Sequence, residues 1–324
     1  MAELTYIEAI RSALREELAR EAAVYVIGED VALGGPFGAT KGLAEEFGER
    51  RIVNTPISEG AVMGLATGAA AMGLRPVVEV MYIDFITLAM DQLVNHAAKL
   101  HYMSGGQLRI PLTVRVQQGA VGNSGAQHSQ SLEAWLVHVP GLKVVMPSNP
   151  GDAKGLLKAA IRDDNPVVFV EHRGLYWTRG EVPEGEHLVP LGRAAVRRRG
   201  EDLTVVATSR MVGVALEAAG ALAKEGMDVE VIDPRSLFPL DLDTIAASVR
   251  KTGHVIIVHE AVESGGFGAE LAARIQEAAF DYLDAPVERV GAPFAPVPAS
   301  PALEKAFVPG KERLASALRK ALAS

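Results

Sequence analysis

Short runs of β-branched and other apolar residues alternate along this chain with stretches whose apolar positions recur every three to four residues. Val24-Tyr25-Val26-Ile27, Val77-Val78-Glu79-Val80, Leu112-Thr113-Val114-Arg115-Val116, Lys143-Val144-Val145-Met146 and Val167-Val168-Phe169-Val170 read as strands. Helical spacing fills the gaps at Tyr6 to Arg20, Gly60 to Met72, Ile86 to Leu100 and Asp152 to Arg162. Nearly continuous apolar strands separated by helices predict a parallel sheet covered on both faces. From about Thr178 to Pro190 the periodicity fails in a polar stretch carrying Pro183 and Pro190, which reads as a linker. A second series follows, with strands at Leu203 to Ala207, Val229 to Asp233 and Val255 to Val258, and helices at Val212 to Glu225 and Asp241 to Lys251. The expected architecture is α/β, with two three-layer parallel-sheet domains over 1–185 and 186–324.

Charge and composition narrow the function. With a net charge of −8 and no basic run longer than Arg197-Arg198-Arg199, a nucleic-acid role has little electrostatic support. The chain has no cysteine, which excludes disulfides, thiolate metal sites and a cysteine nucleophile. Met1 to Tyr6 shows no basic segment followed by an apolar one, so the expectation is a cytosolic protein without a secretory signal. The longest apolar stretch, Gly60 to Leu74, is short of the ~18 residues a bilayer span needs and reads as a buried helix. Gly265-Gly266-Phe267-Gly268 opens a helix, but Leu271 stands where a dinucleotide loop has its third glycine, so a tight strand-to-helix turn is expected. There is no nucleoside-triphosphate loop, no G-x-S-x-G elbow and no H-E-x-x-H among the eight scattered histidines.

One acid stands out. In Asn54-Thr55-Pro56-Ile57-Ser58-Glu59-Gly60 a carboxylate sits at the mouth of a helix made of small and apolar residues. In one reading Ser58 caps the helix and Glu59 complements its positive end. In the other Glu59 carries chemistry. Gly60, Gly64 and Gly68 share one helix face and strip it of side chains, at a cost of about 1 kcal/mol each relative to Ala, which points to a close helix–helix contact, expected between subunits.

The blocks Thr55-Pro56-Ile57-Ser58-Glu59, Ala126-Gln127-His128-Ser129-Gln130-Ser131, His138-Val139-Pro140-Gly141-Leu142-Lys143 and Asp152-Ala153-Lys154-Gly155 closely resemble one family. They are similar to the β subunits of the thiamine-diphosphate-dependent 2-oxoacid dehydrogenases, from Gly28-Glu29-Asp30-Val31 to Leu303-Glu304-Lys305. The resemblance implies a pyrimidine-binding domain of the thiamine-diphosphate fold followed by a domain like the C-terminal one of transketolase. It also implies half an active site. This chain has no G-D-G segment, and in the family an α subunit holds the diphosphate through Mg²⁺, with the cofactor lying across the α/β interface.

By that resemblance Glu59 matches the glutamate that hydrogen-bonds the cofactor's pyrimidine and drives its activation, while Ile57 and Phe85 line the ring with Tyr82 nearby. Ordinary core packing is the competing account of those three. His128 matches a histidine facing the substrate, orienting the 2-oxo acid or exchanging a proton during acyl transfer. Its competing account is a structural histidine beside the glycine-rich loop Gly119 to Gly125, which has the look of a mobile, site-bearing loop. The family also binds a structural K⁺ at positions matching Ile110, Ala160, Ile161, Asp163 and Asn165; an ordinary helix end with Asp and Asn in the turn accounts for the same segment.

The implied reaction is oxidative decarboxylation of a 2-oxo acid with acyl transfer to a lipoyl-lysine. The implied partners are an α subunit, in a heterotetramer of two α and two β chains, and a dihydrolipoyl acyltransferase core with its lipoyl domain. His259-Glu260-Ala261 with Gly265-Gly266-Phe267 is similar to branched-chain enzymes, whereas Thr55 to Glu59 and Tyr102-Met103-Ser104-Gly105-Gly106 are like pyruvate ones. The expectation is a branched-chain 2-oxo acid such as 2-oxoisovalerate, with pyruvate next and acetoin cleavage or a non-catalytic scaffold behind them.

Overall fold

The computed structural model describes residues 1–322 and divides into two compact units. The first comprises Met1–Gln118 and Trp135–Leu191; the second comprises Gly119–Ala134 and the chain from Gly192 onward.

In the first unit, β1 (Ala2–Thr5) leads into helix Tyr6–Arg20 through a capping box. The Glu8 amide donates to Thr5 Oγ1, and the Glu8 carboxylate accepts from the Thr5 amide at 2.8 Å. The helix buries Tyr6, Ile10 and Leu14 against helix Pro150–Arg162, whose Asn149 cap and first-turn proline start it where the sequence changes character. Beneath them lie β2 (Val24–Gly28), β3 (Ile52–Asn54), β4 (Arg75–Val80), β5 (Thr113–Gln118), β6 (Lys143–Val145) and β7 (Val167–His172). These six run parallel in the order β6-β7-β5-β4-β2-β3, with Val26 opposite Val77 and Val114 opposite Val168. Every residue of β2, β5 and β7 is buried, as a sheet covered on both faces requires.

Two expectations change here. The polar stretch after Thr178 includes a strand, β8 (Arg179–Val182), paired antiparallel with β1. Edge pairing uses main-chain groups, so it leaves little apolar period to read. The helix expected over Ile86 to Leu100 is α-helical only at Ile86–Met90, continues as a π-helix over Asp91–Ala97, and is followed by a helical turn at Leu100–Met103.

The second unit contains β9 (Ala195–Arg198), β10 (Leu203–Ala207), β11 (Val229–Asp233), a short β12 (Ser236–Phe238), β13 (Val255–Val262) and β14 (Glu288–Ala292). Its five-stranded sheet runs β14-β13-β10-β11-β9, parallel except for β9, and helices Met211–Leu222 and Lys311–Ala321 bury Ala215, Leu222, Leu314 and Leu318 in its core. The turn at Gly265-Gly266 starts helix Phe267–Ala279 directly after β13, as expected. A Cβ at Gly268 would lie 2.5 Å from the buried His259 ring and one at Gly266 2.8 Å, so these glycines leave room for the imidazole. Among the described residues no helix is long and apolar enough to cross a membrane.

Candidate active site

The first sheet reverses its order of growth at β2, with β3 on one side and β4 on the other. Ligands of such sheets bind outside the carboxyl ends of the strands at that reversal. Glu29 follows β2 and Tyr82 follows β4 at that edge; Thr55, Ile57 and Glu59 follow β3. The Thr55 amide donates to Gly28 O at 3.0 Å, locking the two strand ends together.

Glu59 is the first residue of helix Glu59–Ala71 and is half-buried. Ser58 makes no side-chain capping bond, so the simple capping account fails at this residue. The Glu29 carboxyl is raised from its ordinary pKa by burial and by the nearby charges of Glu59 and Asp30, which makes Glu29 and Glu59 an electrostatic pair. The sequence reading missed Glu29; an acid at the end of the first buried strand was the available signal.

Ile57 is 81% exposed, and Tyr82 and Phe85 are half-buried with their rings edge-on 5.6 Å apart. Helix Glu59–Ala71 meets the segment after Phe85 closely, because a Cβ on Gly60 would lie 3.1 Å from Leu88 O and one on Gly64 3.3 Å from the Gln92 side chain. Gly68 has nothing within 4 Å of its missing Cβ. Two glycines of the stripe are therefore used inside the chain and one faces outward.

A buried charge cluster supports this edge. Arg115 on β5 donates through Nε and Nη2 to both Glu171 oxygens at 2.7 and 3.1 Å, and through Nη1 to Glu79 at 2.5 Å. Burial opposes the guanidinium charge, and Glu171 and Glu79 overcome that opposition and hold it protonated. Burial also pushes the Glu171 carboxyl up, against the pull of Arg115. Tyr176 donates to Glu171 at 2.7 Å and packs on Phe37, which packs edge-on against Tyr82. Arg173 lies 5.7 Å from the Tyr82 ring centre and donates to its hydroxyl at 3.2 Å. The chain from Glu79 and Glu171 to Tyr82 and Phe85 is thus packed side chain on side chain. Sequence gave no sign of it, because Arg115 and Glu79 interrupt apolar strands without any local motif.

His128 lies in the second unit, so neither unit by itself brings it to Glu59. The Gly119–Gly125 loop is pinned: the Ala120 amide donates to Glu260 at 2.5 Å and the Asn123 amide to Glu304 at 2.8 Å. Its glycines at 119, 122 and 125 adopt positive φ, so they serve tight turns as well as any mobility.

The residues expected around a potassium ion do come together, but their oxygens are engaged. Arg75 donates to the carbonyls of Ile161 at 3.2 Å and Asp163 at 3.1 Å, and Lys143 reaches the Asp163 carboxylate at 2.5 Å. Asp163 also accepts from Asn165 at 3.0 Å, Ala160 O accepts from the Asp163 amide, and Ile110 O from the Leu112 amide. Each of these carbonyl and carboxylate groups keeps a further lone pair, so Ile110, Ala160, Ile161, Asp163 and Asn165 would hold a K⁺ only beside the Arg75 and Lys143 charges, and no step is assigned to one.

The pyrimidine half of thiamine diphosphate fits better. Ile57 offers an exposed apolar face, Glu59 a carboxylate, and Thr55 a buried hydroxyl Oγ1 with no hydrogen-bond partner. A flat group, apolar on its faces and hydrogen-bonding along its rim, satisfies all three.

Fold and site together define a transketolase-type pair of domains with a cofactor edge on the first. The chain matches the family model described as transketolase, pyrimidine binding domain, over residues 2–178, and that for the transketolase C-terminal domain over residues 192–314. It is 48% identical to the beta subunit of the acetoin:2,6-dichlorophenolindophenol oxidoreductase of Bacillus subtilis (strain 168), over 93% of this chain and 88% of that protein. It is 46% identical to the pyruvate dehydrogenase E1 component subunit beta of Rickettsia bellii (strain RML369-C), covering 98% of both chains. Identity to the 2-oxoisovalerate dehydrogenase subunit beta of Bacillus subtilis (strain 168) is 43%, again over 98% of both. A split-gene transketolase described as an inactive beta4 tetramer superposes with a TM-score of 0.81 at 24% identity, over 99% of this chain and 98% of that one, a likeness of fold alone. The chain belongs to the family of β subunits of the thiamine-diphosphate-dependent 2-oxoacid dehydrogenases.

Proposed function

We propose that this chain supplies the proton-handling half of an active site that oxidatively decarboxylates a branched-chain 2-oxo acid and passes the acyl group to the lipoyl-lysine of a dihydrolipoyl acyltransferase. The supporting observation is the Glu29–Glu59 pair beside Ile57, at the carboxyl edge of the first sheet. Thiamine diphosphate, when bound, supplies the carbanion that attacks the 2-oxo carbon. Glu59 would hold the proton at the pyrimidine rim, beside Glu29, whose carboxyl is raised by burial and by the charges of Glu59 and Asp30. Ile57 and Phe85 would cover the ring faces and exclude water. His128 would orient the 2-oxo acid or exchange a proton during acyl transfer.

The diphosphate and its Mg²⁺ fall to an α subunit in this reading. Leu65, Met72, Leu88, Tyr102 and Met103 are exposed large apolar side chains of the first unit, and Gly68, between Leu65 and Met72 in sequence, is open, which suits burial against other chains. A second reading, acetoin cleavage, is favoured by the 48% identical relative. His259 and Gly266, expected markers of branched-chain enzymes, pack against each other inside the second unit.

The test is to co-express the chain with its α partner and assay 2-oxoisovalerate, pyruvate and acetoin. Glu59→Gln is expected to keep the assembly and lower turnover by at least a hundredfold. Wild-type turnover in that variant would remove Glu59 from the chemistry.

A further inference from the structure

The second unit holds a cavity of about 390 Å³ that no part of the proposed chemistry uses. One wall is the segment 126–132, and facing it are residues 260–262 at the end of β13 and the loop 294–297. The second sheet reverses its order of growth at β10, with β11 on one side and β13 on the other, and Arg210, just beyond β10, lies 3.9 Å from Glu260. The cavity therefore opens at the carboxyl ends of the strands beside a reversal, where doubly wound sheets bind small molecules.

Its lining specifies a ligand. Ala120, Leu132, Val262, Val297 and Phe307 make it mainly apolar. Ser129 is 2% exposed, and its Oγ has no hydrogen-bond partner, a state that burial makes costly and that a ligand hydroxyl or carbonyl would relieve. The Glu260 carboxylate stands in the wall, partly balanced by Arg210 and the Ala120 amide, so an anionic ligand is disfavoured relative to a neutral one. At ~30 Å³ of liquid volume per water, the space suits a ligand of about a dozen non-hydrogen atoms.

We propose that this cavity binds a neutral, largely aliphatic small molecule with one hydrogen-bonding group, and that its occupancy stiffens the segment carrying His128. Ala126 and Ser129 line the cavity on either side of His128 in sequence, so a ligand held by Ser129 restrains that residue's backbone. The inference does not depend on which reaction the first unit serves.

Octan-1-ol and octanoate are suitable probes, titrated into the purified full chain near neutral pH by calorimetry and followed by amide hydrogen exchange. Octan-1-ol is expected to bind saturably, octanoate at least tenfold more weakly, and amides of 126–132 to exchange more slowly with the alcohol present. Ser129→Ala, which removes an unpaired group and leaves the fold intact, should weaken octan-1-ol about fivefold. Ala295→Trp at the exposed rim should abolish binding while circular dichroism stays unchanged. Absence of saturable binding, equal binding of octanoate, or affinity untouched by both substitutions would each overturn the proposal.

Discussion

Replacing Arg115 with Met isolates what the buried cluster contributes to the site's foundation. The side chain is 2% exposed and makes three charge-assisted hydrogen bonds to two carboxylates that are themselves buried. Removing it leaves Glu79 and Glu171 facing each other without a cation. Breaking a buried pair in this way costs about 3–5 kcal/mol, which for a unit of this size lowers its unfolding midpoint by about 10 °C. The penalty carries a pH signature. Without Arg115 the Glu171 carboxyl is raised further above its unfolded value, so the variant keeps its stability below about pH 4.5 and loses it as pH rises through the raised value. The deficit should be small at pH 5 and full at pH 8 when melts of variant and wild type are followed by circular dichroism. Adding Glu79→Gln and Glu171→Leu to Arg115→Met should recover most of the loss, because the stranded charges are then gone. A variant within about 1 kcal/mol of wild type at pH 8, or a deficit equal at both pH values, would refute the argument that these charges need one another.

Two further outcomes test other parts of the molecule. Burial pushes the His259 pKa down to about 4 against the attraction of Glu263, so its contribution is complete above about pH 6.5 and is lost as pH falls toward 4. That loss amounts to roughly 3 kcal/mol in the second unit, and His259→Leu should flatten the acid limb of its stability curve; an unchanged limb would assign the acid sensitivity elsewhere. Gly68 has open space beyond its missing Cβ, so Gly68→Ala should stabilise the isolated chain by about 1 kcal/mol. Gly68→Leu should leave the isolated chain folded and block assembly with the α partner, read as native mass; normal assembly would show that this face stays uncovered.

The sequence by itself determined the two α/β series and the parallel strands, and the resemblance added the expectation of a cofactor edge at Glu59. Continuous apolar strands and helical spacing are local signals, and they survive because the burial of each element repeats along the chain. Ile57, Phe85 and Tyr82 were singled out only through resemblance, since an apolar side chain near a strand end looks the same in sequence whether it packs a core or faces a ligand. The tertiary structure decided what depends on partners distant in sequence. It joined Arg115 to Glu79 and Glu171 from three different strands, and it paired β8 with β1 where no period was visible. It brought Arg75 and Lys143 onto the Ile161 and Asp163 oxygens, and it moved residues 119–134 into the second unit. Charges and turns of this kind are chosen by three-dimensional neighbours, and a one-dimensional pattern carries no record of which neighbours those are.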